Sequence, residues 1–169
     1  MTEPQPFVSY LETLREDRAA LACLRRGLGQ PPGTVVDMFP YVARWVPPQA
    51  PRAIEEVHYL TAALFAGHPA AGGVGDMGDH FRRVVRADPE STVAVERRFT
   101  ALLAAHPDDL HFYLRQAVSF LRSREVPVNW HQLFVDIRRW AHPERPVQRR
   151  WARSFWGHTA ETSQGEKEA

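Results

Sequence analysis

The apolar residues of this chain recur every three or four positions in short runs, and each run is cut off by proline, glycine or aspartate. Phe7, Tyr10, Leu11, Leu14, Leu21 and Leu28 share one face at 100° per residue. Leu110, Leu114, Ala117, Val118 and Leu121 share another. The alternation of period two that marks a half-buried strand is almost absent. The fold class predicted is therefore all-α: about eight amphipathic helices in a bundle. Short connectors make consecutive helices antiparallel neighbours.

The first helix is expected over residues 6–28, with Pro6 in its first turn and Gly27 and Gly29 at its exit. A shorter one covers TVVDMFPYVARWV, broken or kinked at Pro40 and ended by Pro47–Pro48. A third spans 51–67 and turns Ile54, Val57, Leu60, Thr61 and Leu64 inward. GHPAAGGVGDMGDHF holds too many glycines for a regular helix and reads as a loop and a lobe boundary. Further helices are expected over 78–87, then from DPEST to 105 with Val95, Phe99, Leu102 and Leu103 inward, and then from HPDDL onward. Asn129 is the expected N-cap of a helix over 130–141 that buries Trp130, Leu133, Phe134 and Ile137. A last helix after Pro143 uses Val147, Trp151 and Phe155. This divides the chain into an N-terminal helical lobe (1–70), a loop with a short connecting helix (71–89) and a C-terminal helical lobe (90–157). The tail, 158–169, has no apolar pattern and is expected to be frayed.

Several classes of function are excluded at this level. No apolar run approaches the roughly 20 residues of a membrane span, so no membrane partner is expected. MTEPQPFVSY lacks the basic-then-apolar order of a signal peptide, which points to the cytoplasm. Cys23 is the single cysteine, so neither an intrachain disulfide nor a cysteine-rich zinc site is available. There is no phosphate-binding P-loop, no dinucleotide glycine pattern and no HExxH. HPDDLH groups His106, Asp108, Asp109 and His111, and GDMGDH groups Asp76, Asp79 and His80. Both sit where helices begin, and helix-start chemistry accounts for them better than a metal or an acid–base pair does. No cofactor, metal or catalytic role is expected.

Net charge is only +1, yet Lys167 is the sole lysine among 21 basic residues. Arginine's planar fork matches phosphate better than an ammonium does. Helical geometry places these arginines. Arg115 and Arg122, seven apart, lie along one edge of the Leu114 stripe, while Arg98 flanks the core and Arg97 points away from it. Arg138 borders the core and Arg139 opposes it. Arg149 and Arg153 share an outer face with Arg150 at its flank. In the first helix Arg18 and Arg25 fall on the apolar face, where an arginine must snorkel, pair or emerge. Arg25–Arg26 lies beside GLGQPPG, whose exposed backbone permits close approach of a phosphate chain. Surface arginines usually pair with glutamates one turn away. Over residues 137–155 the only acid is Glu144, so pairing within the helices cannot neutralise the group. A basic strip for nucleic acid follows, with an acidic protein surface as the alternative. Trp130, Trp140 and Trp151 read as core. Trp45 and Trp156, near helix ends, read either as packing or as stacking surfaces for a base or a partner.

The order of the pieces carries a resemblance. CLRRGLG closes the first helix; FPYVARWV, VERRFTALLAA, LRQAVSFLRSREVPVNWHQLFVDIRRW and RPVQRRWARSFW follow. Over residues 7–156 the chain resembles the CasB family, the small subunit of the Cascade surveillance complex of type I-E CRISPR antiviral systems. VPVNW…VQRRWA…FW is the most specific part, and the glycine-rich loop the least. The resemblance implies an all-helical, non-catalytic protein in two small lobes. Two copies would stack head to tail in a crRNA-guided complex, beside its large subunit and its backbone subunits. A basic surface would stabilise the R-loop, guiding the displaced single-stranded DNA and supporting the crRNA–target DNA heteroduplex through backbone contacts. The family's basic positions fall on Arg25, Arg26, Arg97, Arg98, Arg115 and Arg122, and more loosely on Arg138, Arg139, Arg149 and Arg150.

Overall fold

A computed structural model describes residues 2–157; the tail expected to be frayed lies outside them. The described residues form α-helices joined by 3-10 turns, with no strand among them. The helices are α1 (Pro6–Thr13), α2 (Arg18–Arg25), α3 (Phe39–Val42), α4 (Arg52–Gly67), α5 (Met77–Ala87), α6 (Thr92–Leu103), α7 (Leu110–Ser123), α8 (Trp130–Arg138) and α9 (Pro146–Ala152). The chain continues from α9 into a π turn, Arg153–Gly157. The all-α class read from periodicity is the fold observed.

The single helix expected over 6–28 is two helices. The Asp17 carboxylate accepts the Ala20 N–H at 3.0 Å, so Asp17 is the N-cap of a new helix and not the interior of an old one. The turn before it is held by Arg15, which donates to the Pro69 carbonyl at 2.7 Å and to Glu12 at 3.0 Å. This break resets the helical phase. Phe7, Val8 and Leu11 face inward from α1, and Ala20, Leu21 and Leu24 from α2. Arg18 and Arg25, expected on the apolar face, are both exposed.

Helix α4 is the axis of the N-terminal half. Val57, His58, Tyr59 and every residue from Thr61 to Ala66 are buried, a wider surface than the one stripe read from the sequence. A helix apolar all round belongs inside other helices. Here α2, α7, α8 and α3 surround it, and Ala62, Ala63 and Ala66 keep those neighbours close.

The glycine-rich loop leads into a defined helix start. Asp76 and Asp79 form a capping box: Asp76 Oδ1 accepts the Asp79 N–H and Asp79 Oδ2 accepts the Asp76 N–H. Asn129, the N-cap of α8 as expected, also donates from its side chain to the Gly75 carbonyl at 3.0 Å. Its own backbone N–H donates to His80 Nε2 at 3.0 Å. Gly78 admits the chain crossing above it, because a Cβ there would overlap the Trp151 carbonyl.

In the C-terminal half an α6–α7 hairpin packs with α5, α9 packs on α5, and α8 lies against α4 and α1. The residues read as inward in α7 and α8 are buried there. Three tryptophans fill this half, as expected, and each indole N–H has an acceptor. Trp130 donates to the His68 carbonyl, Trp140 to the Ala105 carbonyl and Trp151 to Asp136 Oδ2. One continuous core runs from Phe7 to Phe155.

Two carboxylates are buried in that core. Asp136 is 1% exposed and Asp76 7%. Asp136 accepts the Trp151 indole at 2.8 Å, the Gln132 amide at 2.9 Å and Nη2 of Arg150. Asp76 accepts the Ser154 hydroxyl at 2.8 Å and faces Arg150 Nε at 3.4 Å. One guanidinium thus bridges α5, α8 and α9. Burial opposes its charge, but the hydrogen bonds and charges of Asp136 and Asp76 outweigh burial and raise its pKa. Burial also raises the Asp76 carboxyl, against its hydrogen bonds from Ser154 and Asp79.

Asp136→Ala removes the acceptor of the Trp151 indole and one of the two carboxylates that hold the half-buried Arg150 guanidinium, and is expected to destabilise the fold by about 3 kcal/mol. Asp136→Asn, which still accepts from Trp151, is expected to lose less; urea unfolding of both variants checks the order. His80 makes a pH prediction. Burial, then the Arg83 and His68 charges, lower its pKa to about 3, so the folded chain holds it neutral. An unfolded histidine titrates near 6.5. The folded state therefore binds fewer protons between those values. His80's contribution is complete above about pH 6.5 and is lost as pH falls toward 3, by up to about 1.4 kcal/mol per pH unit. His80→Gln, whose amide oxygen can accept the same Asn129 N–H, is expected to flatten the decline in urea midpoint between pH 7 and 5.

Candidate nucleic-acid interface

The exposed arginines form local groups, each set by the packing beneath it. The first lies where α2 ends. Arg25 is exposed and Arg26 donates to Asp37 at 2.7 Å across water-facing surface. The hydrogen bond from Arg26 to Asp37, and then that carboxylate's charge, raise the Arg26 pKa. A pair so exposed holds the side chain only weakly. Arg115, from α7, reaches into the same GLGQPPG turn. Gly29 sits there with φ +78°, and a Cβ on it would overlap the Arg115 guanidinium. The third member of this group therefore comes from far along the chain.

The second group rides on the α6–α7 hairpin. Arg97 and Arg98 are exposed on α6 and Arg122 on the last turn of α7. The Arg98 guanidinium lies 4.7 Å from the centre of the Phe120 ring, and Arg124 lies 5.2 Å from the same centre. Arg124 is also 3.4 Å from Asp88. A guanidinium resting on a ring keeps its N–H edges free, so the aromatic support orients the cation without using up its donors. Arg124 was missed by reasoning from helical angles because it is the C-cap of α7, where the 100° progression stops. Its signal was its position two residues beyond Arg122.

The third group belongs to α8 and α9. Arg138 lies 5.5 Å from the centre of Phe134, and Arg139, the C-cap of α8, is exposed. Arg149 and Arg153 are exposed one turn apart and, with Trp156, line a depression of about 500 Å³. Arg150 differs from the expectation of a basic flank. Its guanidinium is committed inward to Asp136 and Asp76, so the side chain is a brace of the fold.

Of the ten arginines singled out from the sequence, eight (Arg25, Arg97, Arg98, Arg115, Arg122, Arg138, Arg139 and Arg149) have no carboxylate within ion-pair distance among the described residues. Two contacts join elements that carry these groups: the Arg115 guanidinium of α7 lies at Gly29 beyond the α2 exit, and the Phe99 ring of α6 lies 5.4 Å from Trp156. The acid–histidine constellations have structural roles. Asp76 and Asp79 cap α5, and His106 Nδ1 accepts the Asp108 N–H at 3.1 Å at the start of the turn into α7. Among the described residues no three His, Cys, Asp or Glu side chains converge as a metal-binding group. What the surface can do is present fixed guanidinium edges to a polyanion.

Comparison with known proteins identifies the family and the fold. Residues 20–156 match the family model for CRISPR-associated protein Cse2. The chain is 36% identical to the CRISPR-associated protein Cse2 of Thermus thermophilus, over 99% of this chain and 98% of that one. It superposes on the crystal structure of CasB from M. ruber with a TM-score of 0.79 and 30% identity, covering 95% of each chain. It also superposes on a chain of a CRISPR RNA-guided surveillance complex with a TM-score of 0.80 and 28% identity, again over 95% of each. With the family match spanning most of its length and a 36% identical relative covered almost end to end, the chain belongs to the CRISPR-associated Cse2, or CasB, family.

Proposed function

We propose that this chain is the small, non-catalytic subunit of a CRISPR RNA-guided surveillance complex of the type I-E Cascade class. Its arginine groups bind nucleic-acid backbone, stabilise the R-loop and hold the displaced non-target strand. The observation that carries the reading is the set of eight exposed guanidiniums without carboxylate partners among the described residues, in a chain that otherwise pairs its buried charge carefully. A displaced strand has no fixed sequence, so its holder must contact phosphate and sugar. Guide pairing then supplies the sequence choice. Arg115 links the two lobes (1–70 and 90–157), so that a strand passing the α2 exit continues onto the α6–α7 hairpin. Partners on this reading are the large and backbone subunits, a second copy of this chain, the crRNA–target heteroduplex and the displaced strand.

Each phosphate contact on a single strand contributes about −0.7 to the slope of log affinity against log salt. Arg97→Ala with Arg98→Ala is expected to flatten that slope by roughly 1.4 for random single-stranded DNA, read by fluorescence anisotropy across a salt series. Weakening by the same factor at every salt concentration would count against direct phosphate contact. Failure of the unaltered protein to bind at low salt would favour an acidic protein partner for the same surface.

A further inference from the structure

Trp156 is the one tryptophan of the C-terminal half that the core does not enclose. It is 38% exposed, whereas Trp130, Trp140 and Trp151 are at most 3% exposed. The backbone accounts for the difference. After α9 the chain widens into the π turn Arg153–Gly157. Phe155 stays buried against Phe99 with ring centres 4.8 Å apart, and the next residue is set outward. Trp156 leans on both rings, 4.8 Å from Phe155 and 5.4 Å from Phe99, so the indole is held in place from beneath. π-helical turns are rare and are frequently found at functional sites. Arg149 and Arg153, exposed and without ion pairs among the described residues, stand beside it around the depression.

Resting on the nucleic-acid reading above, we propose that this depression is a nucleotide subsite: one base of a single strand stacks on the Trp156 indole while its flanking phosphates meet Arg149 and Arg153. Every base offers a π face, so the subsite is indifferent to sequence and suits a displaced strand. Stacking does not release counterions, so the indole's share of the affinity adds nothing to the salt slope, whereas the phosphate contacts of Arg149 and Arg153 add to it as those of the other arginine groups do. A duplex cannot occupy it, because its bases are already stacked on one another.

The unaltered protein supplies the first test: affinity for a short oligothymidylate against an abasic oligomer with the same number of phosphates. A preference of about fivefold or more for the strand with bases is expected from one stacking contact. Equal affinity for the two overturns the subsite while leaving the backbone-binding reading intact; binding to neither overturns both. Trp156→Leu keeps apolar bulk against Phe99 and is expected to abolish the preference, with abasic affinity and salt slope unchanged. Trp156→Phe is expected to retain part of it. A preference undiminished in Trp156→Leu assigns the base contact elsewhere and overturns the inference.

Discussion

The half-buried guanidinium of Arg150 is the interaction that ties the C-terminal half together. It meets Asp136 of α8 and Asp76 at the start of α5, so three helices converge on one cation. Two carboxylates face a single guanidinium, and the excess negative charge is met by neutral donors: the Trp151 indole, the Gln132 amide, the Ser154 hydroxyl and the Asp79 backbone N–H. Ions kept from water need such complete partnering to be tolerated at all. Arg149 and Arg153, one turn apart, stay exposed on one face, while Arg150 at the flank of that face turns inward. The brace and the candidate binding group therefore share one short segment of chain.

How far the sequence exposed this arrangement depended on the range of the interactions involved. The α7 and α8 core residues were legible because each follows from spacing within one helix, and Asn129 because its cap lies three residues from the N–H it accepts. The break between α1 and α2 was not, because Leu14 and Leu21 remain in phase on a continuous wheel. The Asp17 side chain, bonding forward to Ala20, and the Arg15 bond to the distant Pro69 carbonyl separate the two helices. The full burial of α4 was hidden for a different reason. Its second half consists of apolar and small residues on every side, so no stripe stands out from its background.

The arginines divide along the same line. Their exposure could be inferred from angles, and the scarcity of acids over residues 137–155 argued against local pairing. That argument held for Arg138, Arg139 and Arg149 and missed Arg150. The Arg150 partners arrive by tertiary packing: Asp136 stands just outside the acid-poor stretch and Asp76 on another helix. The meeting of Arg115 with the Gly29 turn is likewise tertiary. Local sequence reports which charges lack a neighbour along the helix; it does not report which neighbour the fold will bring.

Aromatic rings give the arginine bias a physical use. Arg98 and Arg124 rest on Phe120, Arg138 on Phe134 and Arg44 on Tyr10, the last at 4.6 Å. A long flexible cation loses side-chain entropy when it is fixed on a phosphate. A guanidinium already lying on a ring has surrendered part of that freedom in the folded protein, and it offers its in-plane donors in a preset direction. A lysine could not be held flat in this way. Contacts of this kind are individually weak and steeply dependent on salt. They become effective when an assembly raises the local concentration of strand along the surface. A scaffold braced by one partly buried ion-pair network, with several exposed guanidiniums resting on rings and others without carboxylate partners among the described residues, suits a component that holds a strand which another part of the assembly has selected.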